Sequence, residues 1–170
     1  MPVGSGIPDY NLAVCVLASG SKGNAIYLSN GSVSVLIDAG LSGIEIERRL
    51  ESIDVRPKDI NAIILTHEHV DHVRGVGVLS RRFGLPVYLT DKTRKAATNI
   101  GTIDDVKVFG CGSPFKIDNM TFHPFSVSHD AEDPVGFTVK HNEAKIGIAT
   151  DLGIATAMVK EHLKDCSLLV

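Results

Sequence analysis

Ala62-Ile63-Ile64-Leu65-Thr66-His67-Glu68-His69-Val70-Asp71-His72 sets a histidine and carboxylate cluster directly behind a short apolar run. The run, Ala62 to Leu65, reads as a buried strand, and the polar residues stand where that strand must end. Alternation along extended chain puts His67 and His69 on one side and Glu68 on the other, with Asp71 and His72 in the turn beyond. Imidazole nitrogens in this arrangement suit zinc and similar divalent ions, and an added carboxylate suits a second, harder ion nearby. A polar loop that merely contains three histidines is the plainer alternative.

Three other stretches accompany this cluster: Leu17-Ala18-Ser19-Gly20-Ser21-Lys22-Gly23-Asn24, Gly75-Val76-Gly77-Val78-Leu79, and Ser128-His129-Asp130-Ala131-Glu132-Asp133-Pro134-Val135-Gly136-Phe137. Together with His-x-His-x-Asp-His they resemble the metallo-β-lactamase fold superfamily, and within it the WalJ (YycJ-like) branch of bacterial proteins. The similarity runs from about Asn11 to the last residue. It implies an α/β fold, an αββα sandwich of two mixed sheets flanked by helices.

The resemblance also implies a ligand set. His67, His69 and His129 match the superfamily's first metal site, three imidazoles that leave a position open for water, as catalytic zinc sites do. Asp71 and His72 match the second site, and Asp151 matches the carboxylate that bridges the two. Two divalent ions, zinc or alternatively manganese, would then sit roughly 3.5–4 Å apart, with water acidified from a pKa of about 15.7 to near 7. Asp71 is the one residue given a catalytic as well as a ligating role. The implied activity is phosphodiester hydrolysis by a metal-bound hydroxide, as an exonuclease acting on DNA. Hydrolysis of a small thioester or lactone is the rival reaction, and a catalytically incomplete binding or regulatory fragment the rival class.

The pattern departs from its relatives at the end. They continue through further strands and helices and supply another histidine to the second site, whereas no histidine follows His162 here. The expectation is a fold lacking its C-terminal portion, a defective second site, little turnover by the chain as given, and a homodimer formed through the exposed C-terminal edge.

Composition sets wider bounds. At 170 residues and 44% hydrophobic content the sequence fits one domain with a real core. No stretch is apolar for long enough to span a bilayer, and Met1 to Tyr10 lacks the basic and apolar regions of a signal peptide, so a cytoplasmic protein without membrane contact is expected. Cys15, Cys111 and Cys166 are widely spaced and odd in number, which argues against a disulfide framework or a cysteine zinc site. The net charge is −3, yet Arg74, Arg81, Arg82, Lys92, Arg94 and Lys95 gather behind the histidine cluster with Asp91 as the only acid. That segment is either a phosphate-holding face for DNA or a set of solvated helix faces.

Along the chain, strands are expected at Asn11 to Leu17, Ala25 to Ser29 and Ser32 to Ile37, with Asn30-Gly31 as a hairpin turn. Ser42 and Glu45 form a capping box for a helix to about Ile53, with Ile44, Leu50 and Ile53 on its buried face. Pro57 leads extended chain into the strand at Ala62. A helix from Gly75 to Phe83 presents its N-terminus to the metal cluster. Then follow a strand at Val87 to Leu89, a helix capped by Asp91 to about Asn99, and extended chain at Val106 to Phe109. Hairpins cover Phe115 to Val127 and Gly136 to Ala149, before a helix from Ile154 to Leu163 and a strand at Ser167 to Val170.

Some residues have two readings. The turn at Ser19 to Gly23 could offer backbone N–H groups to an anion, or be only a tight turn. His123 shares strand parity with His129 and could stand behind the ligands, or be a core histidine. His141 and His162 read as surface groups, and Glu68 is not taken as a general base.

Overall fold

β-branched and aromatic runs in this chain form two sheets that face each other, and the computed structural model describes them over residues 12–170. The expected strand start at Asn11, with Met1 to Tyr10, lies outside the described residues. The first sheet opens as an antiparallel meander of β1 (Ala13–Ala18), β2 (Ala25–Ser29) and β3 (Ser34–Ile37). Asn30 closes its turn as expected, its Oδ1 accepting from the N–H groups of Ser32 and Val33 at 3.0 and 2.8 Å, while Gly31 takes φ +90°. The sheet continues in parallel through β4 (Ala62–Ile64), β5 (Val87–Leu89) and β6 (Val106–Val108). The second sheet has the order β11 (Leu168–Leu169), β10 (Ala144–Ile148), β9 (Val135–His141), β8 (Met120–Ser126), β7 (Phe115–Ile117), in which β11 runs parallel to β10 and the other described pairs are antiparallel.

Period-two alternation makes the layers. From the first sheet Val35, Ile37, Ala62 and Ile64 point inward against Phe122, Val135, Phe137, Val139 and Ile148 of the second. The intervening Leu36 and Ile63 point the other way, onto helices α1 (Gly43–Glu51) and α3 (Val76–Phe83) through Ile46, Leu50, Val76 and Leu79. On the far side Phe125 and Val127 receive Val159 of α5 (Ala157–Leu163). This helix, sheet, sheet, helix order is the αββα sandwich expected from the sequence.

The deviations from expectation are local. Ser42 caps α1, its hydroxyl accepting from the Glu45 N–H at 3.4 Å. Ile44, however, is 61% exposed, and the buried stripe is Gly43, Ile46 and Leu50. Pro57 starts a 3₁₀ turn, Pro57–Asp59, so extended chain resumes only at Ile60; proline's fixed φ suits a first helical position. A one-turn helix α2 (Val70–Val73) replaces the expected turn and is the helix that begins at the histidines. Gly75, at the start of α3, gives its N–H to the Ala39 carbonyl at 2.7 Å instead. Thr90 rather than Asp91 caps α4 (Asp91–Ala96), its hydroxyl accepting from the Thr93 N–H at 3.2 Å. Asp91 is inside the first turn, paired with Arg94 and Lys95.

The C-terminal ends of β3, β4, β8 and β10 lie at one end of the sandwich, because β3 and β4 are parallel and β8 and β10 are each antiparallel to β9. The loops that leave these ends carry the histidines and carboxylates. No helix among the described residues is long and apolar enough to cross a membrane.

Candidate metal centre

β4 stops at Ile64, so His67 and His69 project from a loop and not from strand alternation. The loop still brings them together: His67 Nε2 lies 3.1 Å from His69 Nδ1, and His69 Nδ1 lies 3.1 Å from His129 Nε2. The His129 loop, leaving β8, closes over them from the second sheet. It is stitched by the Val135 N–H to the Thr66 carbonyl at 3.0 Å and by the Glu132 N–H to Glu68 Oε1 at 2.8 Å. A second group overlaps the first. His72 Nε2 is 2.9 Å from Asp151 Oδ2 and 3.8 Å from Asp71 Oδ2, and the donor atoms of His67, His72 and Asp151 all lie within 4.8 Å of one another. All six residues singled out from the sequence therefore converge, although Asp71, 3.8 Å from His72, belongs to neither of the two three-residue donor groups.

Four residues without a sequence-assigned role hold this cluster together. Asp38, 1% exposed and at φ +61°, ends β3. Its Oδ1 accepts from the Thr66 N–H at 2.9 Å; its Oδ2 accepts from the Thr66 hydroxyl and from His72 Nδ1, both at 2.7 Å. Because the Thr66 proton goes to Asp38, the Thr66 oxygen accepts from His67 Nδ1 at 3.0 Å. Both histidines are thereby held with Nδ1 protonated and the Nε2 lone pair toward the cluster. Asn24 directs its amide Nδ2 at His72 Nε2 (3.0 Å) and Asp71 Oδ2 (3.3 Å). Glu68 is the fourth, on the Glu132 N–H. A buried aspartate closing the apolar run Val35-Leu36-Ile37 was the available sequence signal for Asp38; nothing local marked Thr66 or Glu68.

Electrostatics divide the histidines. Burial first, then the neighbouring His72 charge, depress the His67 pKa to about 4 despite Asp38, so His67 is a neutral imidazole at ordinary pH. Burial opposes charge on His72 as well, but the hydrogen bond and charge of Asp38, aided by Asp151 and Asp71, outweigh it and raise its pKa. The donor set fits divalent cations. Two nitrogens each 2.0–2.1 Å from a tetrahedral zinc stand roughly 3.3 Å apart, close to the 3.1 Å separations within His67, His69 and His129. The carboxylates gather on the His72 side, where a harder ion is favoured.

The carboxylate side of the cluster, Asp38, Asp71 and Asp151, lines a cleft of about 390 Å³ together with Ser19, Asn24, Val16, Ile26 and Ile37. The Ser19 to Gly23 turn beside it resolves to a tight turn. The Gly23 N–H bonds Gly20 O (3.0 Å), the Gly20 N–H bonds Asn24 Oδ1 (3.0 Å), and the Asn24 N–H bonds Asp71 O (2.7 Å), so these three donors are satisfied within the protein. Gly40 is where this turn and α2 meet, and a Cβ there would lie 1.6 Å from the Asp71 carbonyl oxygen.

The remaining histidines lie elsewhere. His123 stands edge-on to His162 with ring centroids 4.9 Å apart, and His162 stacks on Phe125 at 4.9 Å, so both serve the contact between β8 and α5. His141 is buried at the end of β9, near the Asn119 carbonyl. Part of the basic segment is paired: Arg82 with Glu47 (2.7 Å), Arg94 and Lys95 with the single carboxylate of Asp91 (2.9 and 2.6 Å), while Arg81 bonds the Thr102 carbonyl (2.7 Å).

Residues 18–157 match the family model described as the Metallo-beta-lactamase superfamily. The chain is 37% identical over 158 residues to exodeoxyribonuclease YycJ of Bacillus anthracis, an alignment covering 91% of this chain and 60% of that protein. It is 38% identical over 143 residues to exodeoxyribonuclease WalJ of Streptococcus pneumoniae serotype 2, covering 81% of this chain and 53% of that protein. The chain thus spans between half and three-fifths of the length of these relatives. Its fold is shared with the crystal structure of Zn(2+)-bound PqqB from Methylobacterium extorquens, at a TM-score of 0.71 and 16% identity over 86% of this chain and 58% of that one.

Proposed function

The chain belongs to the metallo-beta-lactamase superfamily, and on that premise we propose that it is a metal-dependent hydrolase that cleaves phosphodiester bonds of DNA from a strand end. Membership implies divalent metal ions, and zinc is the ion the imidazole-rich donor set favours. The observation that carries the proposal is the overlap of the two donor groups, His67-His69-His129 and His67-His72-Asp151, which share His67, beside a cleft lined by Asp71 and Asp151. The names of the YycJ and WalJ relatives supply the choice of DNA.

His67, His69 and His129 would hold one ion, and Asp71, His72 and Asp151 the other. Ions bound there would supply Lewis acidity toward a phosphoryl oxygen and acidify a water. The chain's own contribution is orientation. Asp38 and Thr66 present the Nε2 atoms of His72 and His67 to the cluster, Asn24 holds the Asp71 carboxylate, and the Glu68 link holds the His129 loop against the first sheet. We place the activity in a single cytoplasmic domain, and the exposed Leu168 and Leu169 on edge strand β11 support association of two copies there, testable by sedimentation.

The test is hydrolysis of end-labelled DNA by metal-loaded protein, run beside a thioester and a lactone. Release of mononucleotides from one end is expected. Thioester turnover with intact DNA would discard the nuclease reading and leave the metal centre standing.

A further inference from the structure

A depression of about 320 Å³ adjoins the metal cluster, sharing Ser21 and Asp71 with the main cleft and lined besides by Lys22, Gly40, Val70 and Arg74. Lys22 and Arg74 are both exposed, and among the described residues neither has an ion-pair partner. This separates them from Arg82, Arg94 and Lys95, each of which is in an ion pair with a carboxylate.

The backbone sets both cations about Asp71. Lys22 stands two residues before Asn24, whose N–H bonds the Asp71 carbonyl at 2.7 Å. Between them Gly23, at φ +152°, is pressed against Leu41 and the Gly40 carbonyl, with no room for a side chain. Arg74 follows Asp71 by one helical turn and caps α2. A polyanion that approaches the cluster meets the carboxylates of Asp38, Asp71 and Asp151, so cations beside them are needed to draw it in. Val70, 62% exposed on the same depression, adds an apolar surface.

We propose that Lys22 and Arg74 form a phosphate subsite that holds a backbone phosphate of single-stranded DNA adjacent to the metal cluster, with Val70 against the neighbouring sugar or base. This rests on the nuclease reading above. Arginine offers a planar fork and lysine a compact charge, a pair that can grip one phosphate from two sides.

The experiment measures binding of a short fluorescent single-stranded DNA by anisotropy across a salt series in EDTA, where nothing is cut, beside DNA cleavage by the metal-loaded wild-type protein. Lys22→Ala/Arg74→Ala should weaken binding about tenfold or more at low salt. The slope of log K against log salt should shrink by about 1.4, two phosphate contacts at about 0.7 each. Arg82→Ala/Arg94→Ala should change neither quantity, and Arg74→Lys should keep the slope. Circular dichroism checks folding, with Lys22→Gln/Arg74→Gln as a second pair of substitutions. If wild type binds and cuts DNA while both double variants match it in affinity and slope, the subsite is overturned and the nuclease reading stands. If wild type neither binds nor cuts DNA, both fall together.

Discussion

The two sheets contribute to the metal cluster in different ways. The first-sheet side supplies Asp38, Thr66, His67 and His72, each about 1% exposed and joined by hydrogen bonds of 2.7–3.0 Å. The second-sheet side supplies His129 and Asp151 from loops open to solvent, with Asp151 at φ +52° and its side chain 34% exposed. One side is preorganised by a buried polar network. The other is held by a few links across the gap, chiefly Glu68 to the Glu132 N–H and Thr66 O to the Val135 N–H. Substitutions on the first side should therefore cost fold stability, and those on the second should cost metal affinity with the fold intact.

Gly40→Ala is the hardest test of the first side. Its Cβ would collide with the Asp71 carbonyl oxygen at 1.6 Å and with the Asn24 nitrogen at 2.7 Å, both backbone atoms that cannot swing away. A loss of more than about 4 kcal/mol in denaturant unfolding is expected; a near-neutral result would mean that the junction of the Ser19 turn with α2 is not preorganised.

Asp38→Ala comes next. It strands the Thr66 N–H and hydroxyl and the His72 Nδ1–H in a buried site, and should cost about 3 kcal/mol with metal omitted. Glu68→Ala, across the gap, should change stability by less than about 1 kcal/mol while lowering metal affinity about tenfold, read by competition with a chelating dye. Equal destabilisation by the two would erase the contrast between the sheets.

A separate test, spread over a pH range instead of a single substitution, is a pH dependence in the metal-free protein. His67 titrates near 4 in the fold against an ordinary 6.5, so the unfolded chain takes the proton first and stability falls as pH drops from 6.5 toward 4. His72 is shifted upward, so its contribution is complete below 6.5 and is lost as pH rises through its folded value. The pair should place a stability maximum near pH 6.5 in thermal melts in EDTA. His72→Gln should remove the decline on the alkaline side, and persistence of that decline would show that another group is responsible.

Much of this architecture is written in local pattern. Val35-Leu36-Ile37 and Ala62-Ile63-Ile64 alternate between two cores, which is enough for a sheet covered on both faces. Capping at Ser42 and the Asn30-Gly31 turn are equally local, since the donor, the acceptor and the φ preference lie within four residues. The helix capped by Asp91 was misplaced by one residue because Thr90 and Asp91 can both cap; aspartate gains more from Arg94 and Lys95 inside the first turn. The basic segment kept two readings for a related reason. Charge counted along the chain misses Glu47, which is distant in sequence and lies 2.7 Å from Arg82.

The amino-acid sequence by itself determined the alternation of strands and helices and the His67-to-His72 cluster, because strand period, turn chemistry and the His-x-His-x-Asp-His spacing are properties of neighbouring residues; the sandwich and the assignment of His129 and Asp151 are what the family resemblance implied. Only the tertiary structure decided how those groups are held and what surrounds them. Asp38 meets His72 across 34 positions and His69 meets His129 across 60. His123 turns out to face α5, and Lys22 and Arg74 emerge beside Asp71 as cations without an ion-pair partner among the described residues. Such pairings depend on which strand ends the packed sheets bring to the same edge, and burial then fixes protonation and orientation there.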